Sequence, residues 1–281
     1  MGDKLATGGE RVAFQGEPGA YSEMAIIQYF RNSRLVAMKS LQDVFDGLKH
    51  GHVDFGVVPI ENSIEGSVNE TYDLLLDTNF VVSGEIYLRV RHCLIVNKSG
   101  GSNIQSVYSH PQALAQCRRY LQGMKLATIA TYDTAGAVKM IKQNKNMKLA
   151  AIASRRAAEL YDMEILEEGI EDNKNNFTRF LIMSKIRTKS TGRDGTSMIF
   201  SVKHIPGALY NILQEFASRN INLTKIESRP TKEKPWEYNF YVDFEGHIDN
   251  EVINVAVESI KRKAAFIKLL GSYQRAGFFQ H

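Results

Sequence analysis

Short apolar runs alternate with amphipathic stretches along the chain up to residue 185. Nearly continuous apolar runs are typical of strands buried on both faces, and a period near 3.6 indicates helices. The predicted strands are Val12–Phe14, Leu35–Met38, Phe55–Ile60, Val81–Val96 (one or two strands), Val107–Ser109, Leu126–Thr131, Leu149–Ala153 and Phe180–Met183. The predicted helices are Tyr21–Phe30, Leu41–His50, Val68–Leu76, Pro111–Leu121, Thr134–Ile141 and Arg155–Tyr161. This alternation predicts an α/β fold with a largely parallel sheet and helical crossovers.

A polar, charged segment, Lys185–Asp194, then separates this region from one in which the predicted strands and helices follow a different order. The predicted strands after it are Ser197–Val202, Leu223–Glu227, Tyr238–Phe244 and Phe266–Ser272, and the predicted helices are Ala208–Ser218 and Asn250–Arg262. The order βαββαβ is the ferredoxin-like arrangement. The pattern therefore predicts two domains, residues 10–186 and residues 195–275.

Composition places the chain among ordinary globular proteins, with 43% hydrophobic and 23% charged residues in 281. A net charge of +4 is too small to indicate nucleic-acid binding, and it fits a small anionic substrate only weakly. No apolar run reaches the ~18 residues of a membrane span, and the N-terminus lacks the apolar core of a secretory signal. We therefore expect a soluble, cytoplasmic protein that binds neither nucleic acid nor membrane.

The sequence contains none of the common nucleotide-binding or metal-binding signatures, such as GxxxxGK[ST], GxGxxG or HExxH. Its two cysteines, Cys93 and Cys117, form no CxxC pair, so they predict buried thiols rather than a metal site. We expect neither a cofactor nor a metal.

Five polar segments adjoin predicted strands, where ligands bind in open α/β sheets. They are Gln15–Glu23, Pro59–Gly66, Ser109–Gln112, Asp133–Gly136 and Asn173–Phe180. The residues alone leave each open to a second interpretation. The first could bind a carboxylate at a helix N-terminus or only cap that helix, and the third and fourth could also be caps. Arg179 could bind a carboxylate in bidentate fashion or form an intramolecular ion pair.

Within these segments, the motifs FQGEPGAYSE, VPIENSIEGSV, SHPQALAQC, DTAGA and NNFTRF occur in an order and spacing that resemble the prephenate dehydratase family. In the C-terminal region, GALYNIL and ESRP resemble the phenylalanine-binding motifs of the ACT domain of that family. The resemblance covers nearly the whole chain after about residue 10.

The resemblance implies a two-lobed catalytic domain, similar to periplasmic binding proteins, followed by a ferredoxin-like ACT domain. It implies the decarboxylating dehydration of prephenate to phenylpyruvate in phenylalanine biosynthesis, which aromatisation drives without a cofactor. Thr178 would be the catalytic residue that assists the departing hydroxyl. The implied substrate-binding residues are Asn62, Ser63, Ser109, Thr134, Asn176, Arg179 and Phe180.

The ACT resemblance implies an allosteric site for L-phenylalanine, with feedback inhibition as the expected effect. The implied binding residues are Gly207, Ala208 and Leu209 at the start of a helix, together with Asn222, Glu227, Ser228 and Arg229 of a paired subunit. The chain would therefore form a homodimer or homotetramer. Without the resemblance, GALYNIL would indicate only helix packing.

Two other functions stay open. Arogenate dehydratase performs the same chemistry on the transaminated substrate, and a non-catalytic amino-acid sensor could share both domains. A bifunctional mutase–dehydratase is not expected, because it needs an additional helical domain and few residues precede the first strand.

Overall fold

A computed structural model describes residues 8–98, 100–101, 103–232 and 235–277. The strands are β1 (Arg11–Gln15), β2 (Arg34–Met38), β3 (Phe55–Asn62), β4 (Gly66–Ser67), β5 (Val81–Arg89), β6 (Cys93–Val96), β7 (Ser106–Ser109), β8 (Ala127–Ala130), β9 (Leu149–Ala153), β10 (Glu164–Glu168), β11 (Phe177–Ser184), β12 (Asp194–Ser201), β13 (Leu223–Pro230), β14 (Tyr238–Glu245) and β15 (Phe266–Gln274). The helices are α1 (Tyr21–Tyr29), α2 (Leu41–Lys49), α3 (Asn69–Asp77), α4 (Pro111–Gln116), α5 (Arg118–Met124), α6 (Thr134–Asn144), α7 (Arg155–Leu160), α8 (Ala208–Ala217) and α9 (Glu251–Lys263). The predicted elements form with small shifts at their ends, except that the predicted helix Pro111–Leu121 is divided between α4 and α5.

The chain folds into two compact units that do not follow the order of the sequence. The first unit comprises residues 8–68 and 87–180, and the second comprises residues 69–86 and 181–277. Helix α3 and the start of β5 therefore belong with the C-terminal region, although the sequence pattern assigns them to the first domain.

The first unit holds two sheets, which form its two lobes. One has the strand order β2-β1-β3-β11-β5, with β4 paired to β3, and the other has the order β10-β6-β9-β7-β8. Strand β1 runs parallel to both neighbours, so that Val12 lies opposite Leu35 and Phe55. The two-lobed α/β fold is confirmed.

The second of these sheets is more mixed than the sequence pattern predicts. Strand β6 is antiparallel to both β9 and β10. Strand β10 was not predicted because its sequence, EILEE, is mostly acidic, and it lies exposed at the edge of the sheet. The long apolar run is divided between β5 and β6 because residues 90–92 leave the sheet. There the backbone N–H of Val90 bonds to Asn176 O at 2.8 Å, and that of His92 bonds to Glu171 Oε2 at 2.9 Å.

The predicted helix Pro111–Leu121 is interrupted at Cys117, whose backbone angles are φ −111° and ψ 21°. Asp172 stabilises the break from outside the helix. Its N–H donates to Gln116 O at 2.7 Å, and its carboxylate accepts the N–H of Arg119 at 3.2 Å. The sequence of the helix alone does not reveal a partner this distant.

The second unit contains an antiparallel sheet of order β13-β14-β12-β15. Helices α8 and α9 cover one face, where Phe200, Phe216 and Val242 are buried in a common core. This is the predicted ferredoxin-like βαββαβ arrangement, and the prediction is confirmed.

Helix α3 contacts residues of the same sheet that do not belong to this core. Side chains alternate between the faces of a strand, so Tyr241 points away from its neighbour Val242. Tyr241 Oη donates to Tyr72 O at 2.8 Å, and the two rings meet edge to face at 4.8 Å. Asp73 pairs with Arg229 at 3.4 Å and with Lys232 at 2.7 Å. The C-terminal sheet therefore carries helices of two different regions of the chain.

Within the described ranges, no helix is long and apolar enough to cross a membrane.

We expect Gly19→Ala to destabilise the first unit, because Gly19 has φ +96° and a Cβ atom there would lie 2.8 Å from Ala157 Cα. The positive φ and the clash with the backbone of α7 should together lower the free energy of unfolding by about 2 kcal/mol or more. Gly51→Ala is the matched control, since Gly51 has φ +71° but nothing within 4 Å of its would-be Cβ. Urea unfolding would measure both, and equal losses would contradict the packing argument.

Candidate functional site

Thr178 lies in a hydrogen-bonded group formed where β3 ends and β11 begins. Asn62, the last residue of β3, directs its amide nitrogen at three acceptors on the neighbouring segment. Nδ2 of Asn62 lies 2.8 Å from Asn176 Oδ1, 3.0 Å from Thr178 Oγ1 and 3.1 Å from Phe177 O. The strands thus bring together three residues that the sequence predicts for one site.

The orientation of the Asn62 amide is fixed by the backbone. Its oxygen Oδ1 accepts the N–H groups of Ile64 at 2.9 Å and Glu65 at 3.0 Å, so the nitrogen must face Asn176 and Thr178. Thr178 Oγ1 is therefore an acceptor in this contact and keeps its own proton. Among the residues that the structure describes, none accepts a hydrogen bond from that hydroxyl.

Gln116 extends this group and was not singled out from the sequence, although it lies in the motif SHPQALAQC. Its Oε1 accepts from Asn176 Nδ2 at 2.9 Å, and its Nε2 donates to Glu65 Oε1 at 3.2 Å. Gln116 and Asn176 are both buried. Their amides have partners in the protein, which is what buried polar groups require.

Two of the predicted hydroxyl groups form hydrogen bonds with the backbone. Ser63 Oγ donates to Asn175 O at 2.7 Å and accepts from Phe177 N at 2.9 Å, so it holds the segment that leads into β11. Ser109 is fully buried, and its Oγ donates to Ile152 O at 2.6 Å. A serine has one hydroxyl proton, so these side chains position the site rather than offer that proton to a ligand.

Arg179 forms an intramolecular ion pair, the second of the two interpretations that the sequence allowed. Its Nη1 lies 3.3 Å from Glu61 Oε1, and its guanidinium lies 5.9 Å from the ring centroid of Tyr87. Arg179 is 5% exposed and Phe180 is 2% exposed, so both are part of the interior. Glu61 belongs to the polar segment Pro59–Gly66 that follows the buried strand, but it is not among the predicted site residues.

A cleft of about 640 Å³ opens elsewhere in the same unit. It is lined by residues 15–17, 20–22, 37–39, 110 and 132–134, which come from strand ends and helix starts of both lobes. Of the predicted substrate-binding residues, Thr134 lines this cleft. Helix α1 begins in it without a side-chain cap, whereas Asp133 caps α6 by accepting the N–H of Gly136 at 2.9 Å.

The charges around the cleft are partly paired. Glu17 accepts from Lys139 Nζ at 2.9 Å and from Tyr132 Oη at 3.3 Å. Lys39 lies at the end of β2 with an exposed side chain. An uncapped helix N-terminus beside a lysine favours a carboxylate.

Tyr21 connects the cleft to the group around Thr178. Tyr21 lines the cleft, and its hydroxyl lies 2.8 Å from His92 Nδ1 and 2.8 Å from Arg91 O. His92 Nε2 lies 2.9 Å from Gln116 Oε1. His92 is buried, and burial lowers the pKa of its imidazole. No local sequence signal marks His92 as part of a site.

The second unit has a cavity of about 400 Å³ at the start of α8, lined by Ala208, Leu209, Trp236 and Phe240 among others. Gly207 precedes the helix with φ +79°, and it provides no side-chain cap. The other predicted effector residues do not line this cavity. Asn222 and Ser228 are exposed, Glu227 is half-buried, and Arg229 is paired with Asp73.

Burial raises the pKa of the Cys93 thiol to about 12, with a further contribution from Glu168, and it also raises the pKa of Cys117. Both thiols are therefore protonated near neutral pH, as expected for core residues. Within the described part of the chain, no cluster of three or more His, Cys, Asp or Glu residues could hold a metal ion.

Comparison with known proteins agrees with the motifs. Residues 12–188 match the prephenate dehydratase family, and residues 196–261 match the ACT domain. The prephenate dehydratase of Methanocaldococcus jannaschii is 43% identical over 263 residues, which are 91% of this chain and 94% of the relative. The chloroplastic arogenate dehydratase/prephenate dehydratase 2 of Arabidopsis thaliana is 42% identical over 277 residues, covering 94% of this chain and 72% of the relative.

Solved structures show the same architecture. A prephenate dehydratase from Arthrobacter aurescens in complex with L-Phe superposes with a TM-score of 0.87 at 28% identity, covering 95% of this chain and 90% of the other. A protein described as a novel type of quorum-quenching acylase gives a TM-score of 0.89 at 30% identity, covering 95% and 99%. The resemblance inferred from the motifs is confirmed: the chain belongs to the prephenate dehydratase family, with an ACT domain after the dehydratase region.

Proposed function

We propose that this protein converts prephenate to phenylpyruvate in phenylalanine biosynthesis and that L-phenylalanine regulates it by feedback inhibition. The observation that carries the catalytic part is the geometry at Thr178, whose oxygen accepts from Asn62 Nδ2 at 3.0 Å. That contact orients the hydroxyl and leaves its proton to be donated to a substrate. Membership of the family supplies the reaction class.

The chemistry requires little beyond a positioned donor. The bond between the ring carbon and its carboxylate breaks, CO₂ leaves, and the electron pair moves through the ring to expel the hydroxyl on the opposite carbon. The departing oxygen takes up a proton and leaves as water, and the ring becomes aromatic. A threonine hydroxyl is a weak acid, so Thr178 would act as a hydrogen-bond donor that stabilises the developing negative charge, with the net proton relayed from water or another group.

The remaining predicted residues take different roles in this proposal. Asn62, Ser63 and Asn176 hold Thr178 in place. Ser109 and Phe180 support the strand ends from the interior, and Arg179 is held by Glu61.

Thr134 and the uncapped start of α1 would receive substrate carboxylates in the cleft, with Lys39 as an additional cation. A slight excess of basic residues in the chain is compatible with a dianionic substrate.

The proposal assigns catalysis to residues 10–186 and regulation to residues 195–275. The family matches, residues 12–188 and 196–261, support these limits. A cytoplasmic location and a homodimeric or homotetrameric assembly are part of the proposal, the latter because Asn222 and residues 227–229 lie outside the cavity at α8 and would complete it from a paired subunit.

We expect Thr178→Val to lower kcat for phenylpyruvate formation by at least ~100-fold, the lower end for loss of a donor that acts in the transition state. Valine preserves the shape of threonine and removes the hydroxyl. Thr178→Ser is the matched variant, since it keeps the hydroxyl that Asn62 orients and should lose less activity. The assay would follow phenylpyruvate from prephenate in parallel with phenylalanine from arogenate.

Equal losses in the two variants would contradict a role for the hydroxyl. Preference for arogenate would assign the alternative substrate, a possibility that the Arabidopsis relative supports. An N-acylated substrate belongs in the same assay because of the acylase of similar structure. No turnover of any substrate, with phenylalanine still bound, would leave an amino-acid sensor.

We expect L-phenylalanine to change the fluorescence of Trp236, the only tryptophan in the chain, which lines the cavity at the start of α8. A carboxylate at the uncapped N-terminus of α8 would place the aromatic ring within this largely apolar cavity. Binding should also raise the free energy of unfolding by about 2.7 kcal/mol at a hundredfold excess of ligand over Kd. Fluorescence titration and thermal unfolding would measure the two effects.

Trp236→Phe is the control, because it removes the signal while keeping an aromatic side chain in the cavity. Tyrosine and methionine should be titrated alongside as competing effectors. A thermal shift by phenylalanine without any change at Trp236 would place the effector elsewhere.

A further inference from the structure

We propose that Tyr21 and His92 are positioning residues for Thr178, acting through a hydrogen-bond chain of fixed direction that runs from the cleft to the Thr178 hydroxyl. The inference rests on the proposed role of Thr178 and extends it to two residues outside the recognised site. Neither would contact the reacting atoms through its polar group.

The direction of the chain is set at the Asn62 end. Two backbone N–H groups occupy Asn62 Oδ1, so its Nδ2 donates to Asn176 Oδ1. The Asn176 amide is thereby oriented with Nδ2 toward Gln116, at 2.9 Å from Oε1. Gln116 is oriented in turn, with its Nε2 donating to Glu65. Each amide has one allowed orientation, because a flip would set donor against donor.

This direction determines the tautomer of His92. Gln116 presents an oxygen to His92 Nε2 at 2.9 Å, so Nε2 must carry a proton. In the neutral ring Nδ1 then holds the lone pair, which accepts from the Tyr21 hydroxyl at 2.8 Å. Tyr21 shares its proton between this nitrogen and Arg91 O, also at 2.8 Å. The chain therefore ends at a residue that lines the cleft.

The surroundings keep the histidine in place and neutral. His92 is 2% exposed, and its backbone N–H is held by Glu171 Oε2 at 2.9 Å. Burial lowers the pKa of the imidazole, and this outweighs the opposite influences of Gln116 and Glu171. The Tyr21 and His92 rings also meet edge to face at 5.5 Å. A substrate that displaced the Tyr21 ring would disturb the chain that orients Thr178.

The first test is the tautomer of His92 in the full chain, read by ¹⁵N NMR of the imidazole nitrogens near neutral pH and assigned by comparison with His92→Gln. The chain predicts a protonated Nε2 and an unprotonated Nδ1, and Tyr21→Phe should shift the Nδ1 resonance. A protonated Nδ1 with an unprotonated Nε2 would overturn the proposal. This result does not depend on turnover, so it is separate from any failure of the proposed function.

The second test is a double-mutant cycle in kcat with prephenate. Tyr21→Phe should lower kcat by about tenfold, the effect of losing one oriented hydrogen bond, with little change in KM. Added to Thr178→Val it should cause no further loss, since the hydroxyl it orients is gone. Tyr29→Phe is the matched control on the same helix, because the Tyr29 hydroxyl bonds to no described residue, and its kcat should equal that of the unmodified protein.

Multiplicative losses in the double variant would overturn the proposal, because they would mean that Tyr21 acts independently of Thr178. A rise in KM at unchanged kcat would assign Tyr21 to substrate binding and would also overturn it. Loss of activity in Thr178→Ser equal to that in Thr178→Val would instead count against the proposed role of Thr178.

Discussion

The acceptor atom of one asparagine determines the arrangement of the proposed active site. Asn62 Oδ1 is occupied by two backbone N–H groups of the turn that follows it, so its nitrogen has a single direction to face. From that constraint follow the orientation of Asn176, the orientation of Gln116 and the acceptor role of Thr178 Oγ1. A backbone turn thus sets the hydrogen-bonding role of a hydroxyl on another strand.

Buried side-chain amides do not destabilise the protein only if each donor and acceptor has a hydrogen-bond partner. An unpaired polar group in the interior costs about 1–3 kcal/mol, whereas a fully paired network can be rigid. Asn176 and His92 are buried with partners on their side-chain nitrogens, and Ser63 holds the intervening backbone. The rigidity of this interior contrasts with the open cleft beside it, where Lys39 and the start of α1 remain accessible.

Periodicity predicted most of the fold because the apolar runs of β1, β3 and β9 are buried as their patterns indicate. Periodicity did not predict the helix break at Cys117, which depends on hydrogen bonds with the distant Asp172. It also missed β10, because this edge strand is mostly acidic. In the proposed site, the motifs contained Asn62, Asn176 and Thr178, but nothing local marks His92 or the pairing of Arg179 with Glu61. Both depend on contacts between segments far apart in the chain.

Helix α3 lies, in sequence, between two segments of the dehydratase region, yet it packs on the C-terminal sheet through Tyr72 and Asp73. The two domains are therefore not modules that could be exchanged by cutting the chain at residues 185–194. Removal of the C-terminal sheet would leave the Tyr72 ring and the Asp73 carboxylate of α3 without their partners on β13 and β14. A substitute for this ACT domain would have to preserve the face that receives α3, so the covalent order of the chain and its compact units differ.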